Sequence, residues 1–80
     1  MPQTQRVSLS EIRHVDRSEL RESRLNTLLN GYLPFEKVLE SSSDPIALYP
    51  GTKPYDICDG RHRIYLARQK GYSSVSVVFA

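Results

Sequence analysis

The sequence predicts an α+β domain: a small mixed β-sheet packed by two or three helices. Three observations predict it. Residues 46–49, 55–58 and 74–79 are short apolar or β-branched runs bounded by turn-forming residues, which is how strands read. Residues 16–31 and 59–70 carry apolar side chains at helical spacing. The order strand, helix, short helix, hairpin, helix, strand interleaves the two kinds of element along the chain. The 80 residues are enough for one domain, placed at residues 7–80 behind a polar, loose N-terminus over residues 1–6.

The bulk numbers narrow the setting. With 39% apolar and 25% charged residues the composition is that of an ordinary soluble domain. A net charge of +2 permits nucleic-acid binding without arguing for it, because dedicated binders carry a larger and clustered excess. The single cysteine, Cys58, excludes an internal disulfide and fits a reducing cytoplasm. No apolar run approaches the roughly 20 residues of a membrane-spanning helix, and the first residues have no hydrophobic segment of signal-peptide type. A cytoplasmic protein with no membrane association is expected.

In chain order, Val7-Ser8-Leu9 alternates as a short first strand would. Asp16 begins the first full helix, with Glu19 completing a capping-box spacing. Leu20, Leu25, Leu28 and Leu29 give it an apolar face; Arg17, Arg21, Glu22 and Arg24 give it a wet one. Mixed charge of this kind is the usual solvated surface, the alternative being a nucleic-acid contact. Gly31 is placed to end the helix in a left-handed conformation. Residues 33–40 suit a short helix with Pro34 in its first turn and Phe35, Val38 and Leu39 on one side. Pro50-Gly51 turns one strand into the next as a hairpin. Gly60, Ile64, Ala67 and Gly71 lie along one side of the last helix, and residues 74–79 close the sheet.

The most informative stretch is Asp59-Gly60-Arg61-His62-Arg63, a strand-to-helix turn that opens on three basic side chains. N–H groups at a helix start have no intrahelical partners, and the helix dipole makes that end positive. Basic residues are unfavourable there for helix stability, so Arg61, His62 and Arg63 fit an anion, phosphate above all, better than a structural role. A guanidinium holds phosphate through two parallel hydrogen bonds. Gly60 lets the backbone turn sharply and lets a ligand come close. The phosphate-binding set is therefore Gly60, Arg61, His62 and Arg63. His62 and Asp59 are the candidates for catalysis, His62 as a proton carrier near neutral pH and Asp59 as an orienting group, although capping the helix is the simpler role for Asp59. Asp56 and Glu36 are further carboxylates with no spacing that pairs them. Cys58 is expected buried on its strand, a reactive thiol near the helix start being the alternative. His14 stands apart, and two histidines with one cysteine make no zinc pattern.

Asp59-Gly60-Arg61-His62-Arg63, followed by Leu66-Ala67-Arg68, Gly71-Tyr72 and Val75-Ser76-Val77-Val78, resembles the ParB/sulfiredoxin superfamily, in its branch with a DGxHR motif. Leu9-Ser10-Glu11-Ile12 and Pro45-Ile46 extend the resemblance to roughly residues 7–79. It implies a ParB/sulfiredoxin-like fold and a nucleotide or phosphate at the turn, with ATP or CTP and magnesium as the implied cofactors. Relatives diverge in activity: partition proteins hydrolyse CTP, sulfiredoxins use ATP, others phosphorylate serine or cut DNA. Sulfiredoxins carry a catalytic cysteine where this chain has Arg61, which argues against that chemistry. The partition proteins have glutamate at Arg61 and arginine at His62, and a following helix-turn-helix domain, whereas this sequence stops at Ala80.

The leading expectation is thus a small domain binding a nucleotide or another phosphate at residues 60–63, in a DNA-partition, plasmid or phage context. A metal-dependent nuclease or nucleotide-dependent phosphotransferase at the same place is the second. A non-catalytic module contacting DNA, a protein or a second copy of itself is the third.

Overall fold

The computed structural model describes residues 3–80. Strands β1 (Gln5–Ser8), β2 (Ile46–Leu48), β3 (Ile57–Asp59) and β4 (Ser74–Phe79) form one mixed sheet in the order β1-β4-β2-β3. β4 is antiparallel to β1 and parallel to β2, while β2 and β3 form the antiparallel hairpin that Pro50-Gly51 predicts. The β-branched run Val75-Ser76-Val77-Val78 takes a position with a strand on each side. Alternation along it sends Val75 and Val77 into full burial. β1 begins at Gln5, two residues before the expected Val7, so Gln5 and Arg6 are sheet and not loose chain. Of the rest of the expected loose stretch, residues 1–2 lie outside the described residues. Leu9 begins a single 3-10 turn, Leu9–Glu11, and is buried.

The helices are α1 (Glu22–Asn30), α2 (Phe35–Leu39) and α3 (Arg61–Gln69). α3 buries Ile64, Leu66 and Ala67 among Ile46, Leu48 and Val75 of the core. Its C-terminal end has the expected glycine: Gly71 is left-handed at φ +85°, and Tyr72 N–H returns to the Ala67 carbonyl at 3.0 Å. Arg68, on the last turn, reaches back across the fold and donates to the carbonyls of Leu9, Ile12 and Arg13 at 2.8, 2.7 and 3.1 Å.

One expected element is broken in two. Residues 16–31 do not form a continuous helix. The Asp16 N–H donates to the Glu19 carboxylate at 3.0 Å, as the capping-box spacing predicts, but the structure it starts is a lone 3-10 turn, Arg17–Glu19. Leu20 and Arg21 are then extended before α1 begins. The physical reason lies on α3. The Glu19 carbonyl accepts from Arg61 Nε, and the Arg21 N–H donates to His62 Nε2, both at 3.1 Å. Main-chain groups that a continuous helix would pair internally are taken by side chains of the other helix. Leu29, within α1, is half exposed where an apolar face was expected. Gly31 is not left-handed either, at φ −78°. A side chain there would put its Cβ 2.6 Å from the Thr27 carbonyl oxygen, so close approach and not handedness calls for glycine. Among the described residues no helix is long and apolar enough to cross a membrane.

Candidate functional site

β3 ends at Asp59, the chain turns at Gly60, and α3 starts at Arg61. Gly60 sits at φ +109°, and a Cβ built on it would lie 3.0 Å from Cγ1 of the fully buried Ile46. Both facts require glycine. The first i→i−4 bond of α3 runs from Ile64 N–H to the Gly60 carbonyl at 2.9 Å, so the N–H groups of Arg61, His62 and Arg63 precede the helix ladder. No side chain caps this end, and the cap position is held by Gly60. The expectation that Asp59 caps the helix is therefore corrected: Asp59 is the last residue of β3, exposed at the rim.

The three basic residues point in different directions, as neighbours on a helix must. Arg61 is exposed, its Nε donating to Glu19. His62 is half-buried, with Nε2 accepting the Arg21 N–H. Burial pushes the His62 imidazole below its ordinary pKa, and the charges of Arg61, Arg24 and Arg21 push it the same way. With Nε2 accepting, the neutral ring carries its proton on Nδ1. Arg63 turns inward and is 6% exposed. Its Nη1 donates to the Asp44 carbonyl at 2.6 Å and reaches toward the Val38 carbonyl at 3.5 Å. Among the described residues its Nε and Nη2 make no hydrogen bond, and no side-chain nitrogen or oxygen is both buried and unpartnered. Those two donors therefore reach solvent.

The solvent they reach fills a cleft of about 360 Å³. Its walls are Arg21, Arg24 and Leu28 from the first-helix side, Val38 and Asp44 from α2 and the loop after it, and residues 59–63. All four residues of the expected phosphate set line it, and so does Asp59. Asp56 and Glu36 do not. Asp56 is engaged with Arg13 at 2.8 Å and with the Ile57 N–H.

Arg21 and Arg24 are the residues that sequence reasoning missed, having been read as part of a solvated face. A signal was there: Arg21, Arg24 and Leu28 are spaced as one helical stripe, which carries no acid to pair with. The four cleft arginines make no ion pair among the described residues. Arg6, Arg13 and Arg17, outside the cleft, each pair with a glutamate. Cys58 is a second correction. It is exposed on β3, where the pairing of Ala47 with Asp59 and of Leu48 with Ile57 leaves it as the extra residue of a bulge.

Chemically, the cleft presents guanidinium groups, the N–H groups of a helix start and a neutral imidazole to whatever enters. Asp44 and Asp59 are the carboxylates of its lining. No group of three or more histidine, cysteine or acidic side chains able to hold a metal occurs among the described residues. This is equipment for holding an anion. Comparison with protein-family models, with curated proteins and with solved structures finds no match for the chain.

Proposed function

We propose that this chain is a small cytoplasmic domain of ParB/sulfiredoxin-like fold that binds a nucleotide or another phosphate group in the cleft at residues 60–63, in a DNA-partition, plasmid or phage setting. The observation that carries the reading is the set of four arginines, Arg21, Arg24, Arg61 and Arg63, gathered on one cleft with no carboxylate paired to any of them among the described residues. Like charges brought together repel, and a dianionic phosphate relieves that repulsion through charge-assisted hydrogen bonds. The three N–H groups at the start of α3 add oriented donors that need no side-chain ordering. Family resemblance at residues 59–63 supports the same ligand class.

The donor set fits the phosphates of ATP or CTP. A magnesium ion carried in with them takes one or two carboxylates and the phosphate oxygens, and Asp44 and Asp59 are the lining residues of that type. Nothing favours a catalytic role over binding. The His62 nitrogen that would take a proton already accepts the Arg21 N–H.

Titration with ATP, CTP, ADP and inorganic phosphate, with and without magnesium, tests the reading by calorimetry or by amide chemical shifts. Shifts confined to Arg24, Arg61, His62 and Arg63 are expected, with affinity falling roughly tenfold or more in Arg24→Ala. No response to any of these ligands removes the proposal.

A further inference from the structure

The arginine cleft opens on one side into a second recess of about 260 Å³. Leu28 and Val38 line both, so the two are continuous. The rest of the recess wall is Thr27, Gly31, Tyr32 and Leu33. Thr27 Oγ1 donates its proton to the Ser23 carbonyl at 2.8 Å, which leaves aliphatic groups and the Tyr32 ring to meet an occupant. Among the described residues five large apolar side chains are exposed, and three of them, Leu29, Tyr32 and Leu33, fall within five consecutive positions. A cluster of that kind marks a contact surface for another chain, where singly scattered apolar residues would not. Arginine and tyrosine also concentrate at the energetic centres of protein interfaces, where lysine is scarce, and no lysine lines the cleft or the recess.

Resting on the phosphate reading above, we infer that the phosphate is borne by a peptide segment of a partner protein: its phosphorylated side chain enters the arginine cleft, and an aliphatic side chain close by in the same segment enters the recess of Leu28, Tyr32, Leu33 and Val38. Charge complementarity sets the direction. A dianionic phosphate meets four guanidinium groups without paired carboxylates at one end, and at the other it would be desolvated without partners. The aliphatic side chain gives up no hydrogen bond on entering the recess, whereas the polar edges of a nucleobase would exchange water for an aliphatic and aromatic wall. An extended peptide places side chains i and i+2 on one side, roughly 7 Å apart, a spacing suited to two hollows that share a wall. The long acyl chain of a lipid phosphate would overrun a wall made of residues 27–33 and Val38 and lie in water beyond it.

Binding of the intact chain to an oriented library of heptapeptides with a central phosphoserine tests this, followed by calorimetry on the selected peptide. Selection of leucine, isoleucine or methionine within two residues of the phosphoserine is expected. Replacing that residue by serine should weaken binding about tenfold, as the loss of one buried aliphatic side chain predicts, and removing the phosphate should weaken it at least as much. Tyr32→Ala and Leu33→Ser should each shrink the aliphatic preference and leave affinity for orthophosphate unchanged, because neither residue lines the arginine cleft. Both side chains are exposed, so unfolding does not confuse the result. A library without aliphatic selection overturns the inference, as does an unphosphorylated peptide that binds equally well or a preference insensitive to both substitutions. A nucleoside 5′-monophosphate, or a vesicle containing phosphatidic acid, that binds more tightly than the selected peptide overturns it too. In each of these cases orthophosphate binding that is blunted by Arg24→Ala leaves the phosphate site standing. Failure of orthophosphate and of every phosphorylated ligand to bind overturns both readings together.

Discussion

Arg63 and Arg68 are two partly or wholly buried arginines on the same helix, and both donate to main-chain carbonyls. Their uses differ. Arg68 binds three carbonyls of the 9–13 segment with both terminal nitrogens, and burial lowers its pKa, with the Arg13 charge adding to the effect. It ties the end of α3 to the segment after β1. Arg63 commits one nitrogen to Asp44 and Val38 and leaves two donors facing a cleft. A guanidinium has five N–H donors in a fixed fork, so one residue type serves as a clamp where both terminal nitrogens meet carbonyls and as half a clamp where one side stays wet.

That contrast has a largest test at the clamp. Arg68→Met removes three hydrogen bonds, leaving the Ile12 and Arg13 carbonyls without this partner, and should cost about 3–5 kcal/mol, a large share of the roughly 4–12 kcal/mol expected for a domain of this length. Thermal unfolding should fall by more than about 12 °C. A loss of only a few degrees would mean that Arg68 is not the clamp its bonds describe.

At the cleft end, the strongest structural effect should come from a residue without charge. Gly60→Ala meets both the left-handed backbone and the Ile46 side chain, and should destabilise by about 2–4 kcal/mol. Urea unfolding measures it. An unchanged midpoint would show that the turn relaxes freely, and that the start of α3 is not held against β2.

Arg63→Gln probes the intermediate position. Losing the charged donor to Asp44 should cost about 1–2 kcal/mol in stability and also weaken phosphate binding, whereas Arg24→Ala, on the exposed wall, should weaken binding and leave stability unchanged within about 0.5 kcal/mol. Equal effects of the two substitutions on both quantities would erase the distinction between Arg63 and its exposed neighbours.

The smallest effect is that of pH on His62. Its folded pKa lies below the unfolded value, so the unfolded chain binds more protons between the two. The stability tied to the neutral ring is present above the ordinary histidine value of about 6.5 and is lost as pH falls through the lower folded pKa. Imidazole proton shifts followed by NMR should show His62 titrating below the ordinary histidine value, and a bound phosphate should raise it. A His62 titration above the ordinary histidine value in the free protein would contradict the burial and the arginine neighbours assigned to it.

Much of the fold was legible because it is local. The apolar alternation of β4, the Pro-Gly hairpin between β2 and β3, and the stop of α3 at Gly71 depend on neighbours in sequence, and each forms where the pattern places it. The glycine and three basic residues of the 60–63 turn were legible for the same reason. The broken helix was not. Its capping-box spacing and apolar periodicity favour one helix over residues 16–31, and what interrupts it is a pair of side chains about 40 positions away, Arg61 and His62. Propensity cannot register a competitor that arrives only when the chain has folded.

By itself, then, the sequence determined the kinds of element, their order, and a positively charged strand-to-helix turn, because period, turn chemistry and helix-end electrostatics act within a few residues. Tertiary structure decided which arginines share that turn's cleft, which one becomes a clamp, and that Cys58 lies on an open edge. Those outcomes depend on which surfaces meet. The parallel pairing of β2 with β4, and the contact of α1 with α3 from opposite halves of the chain, bring them together.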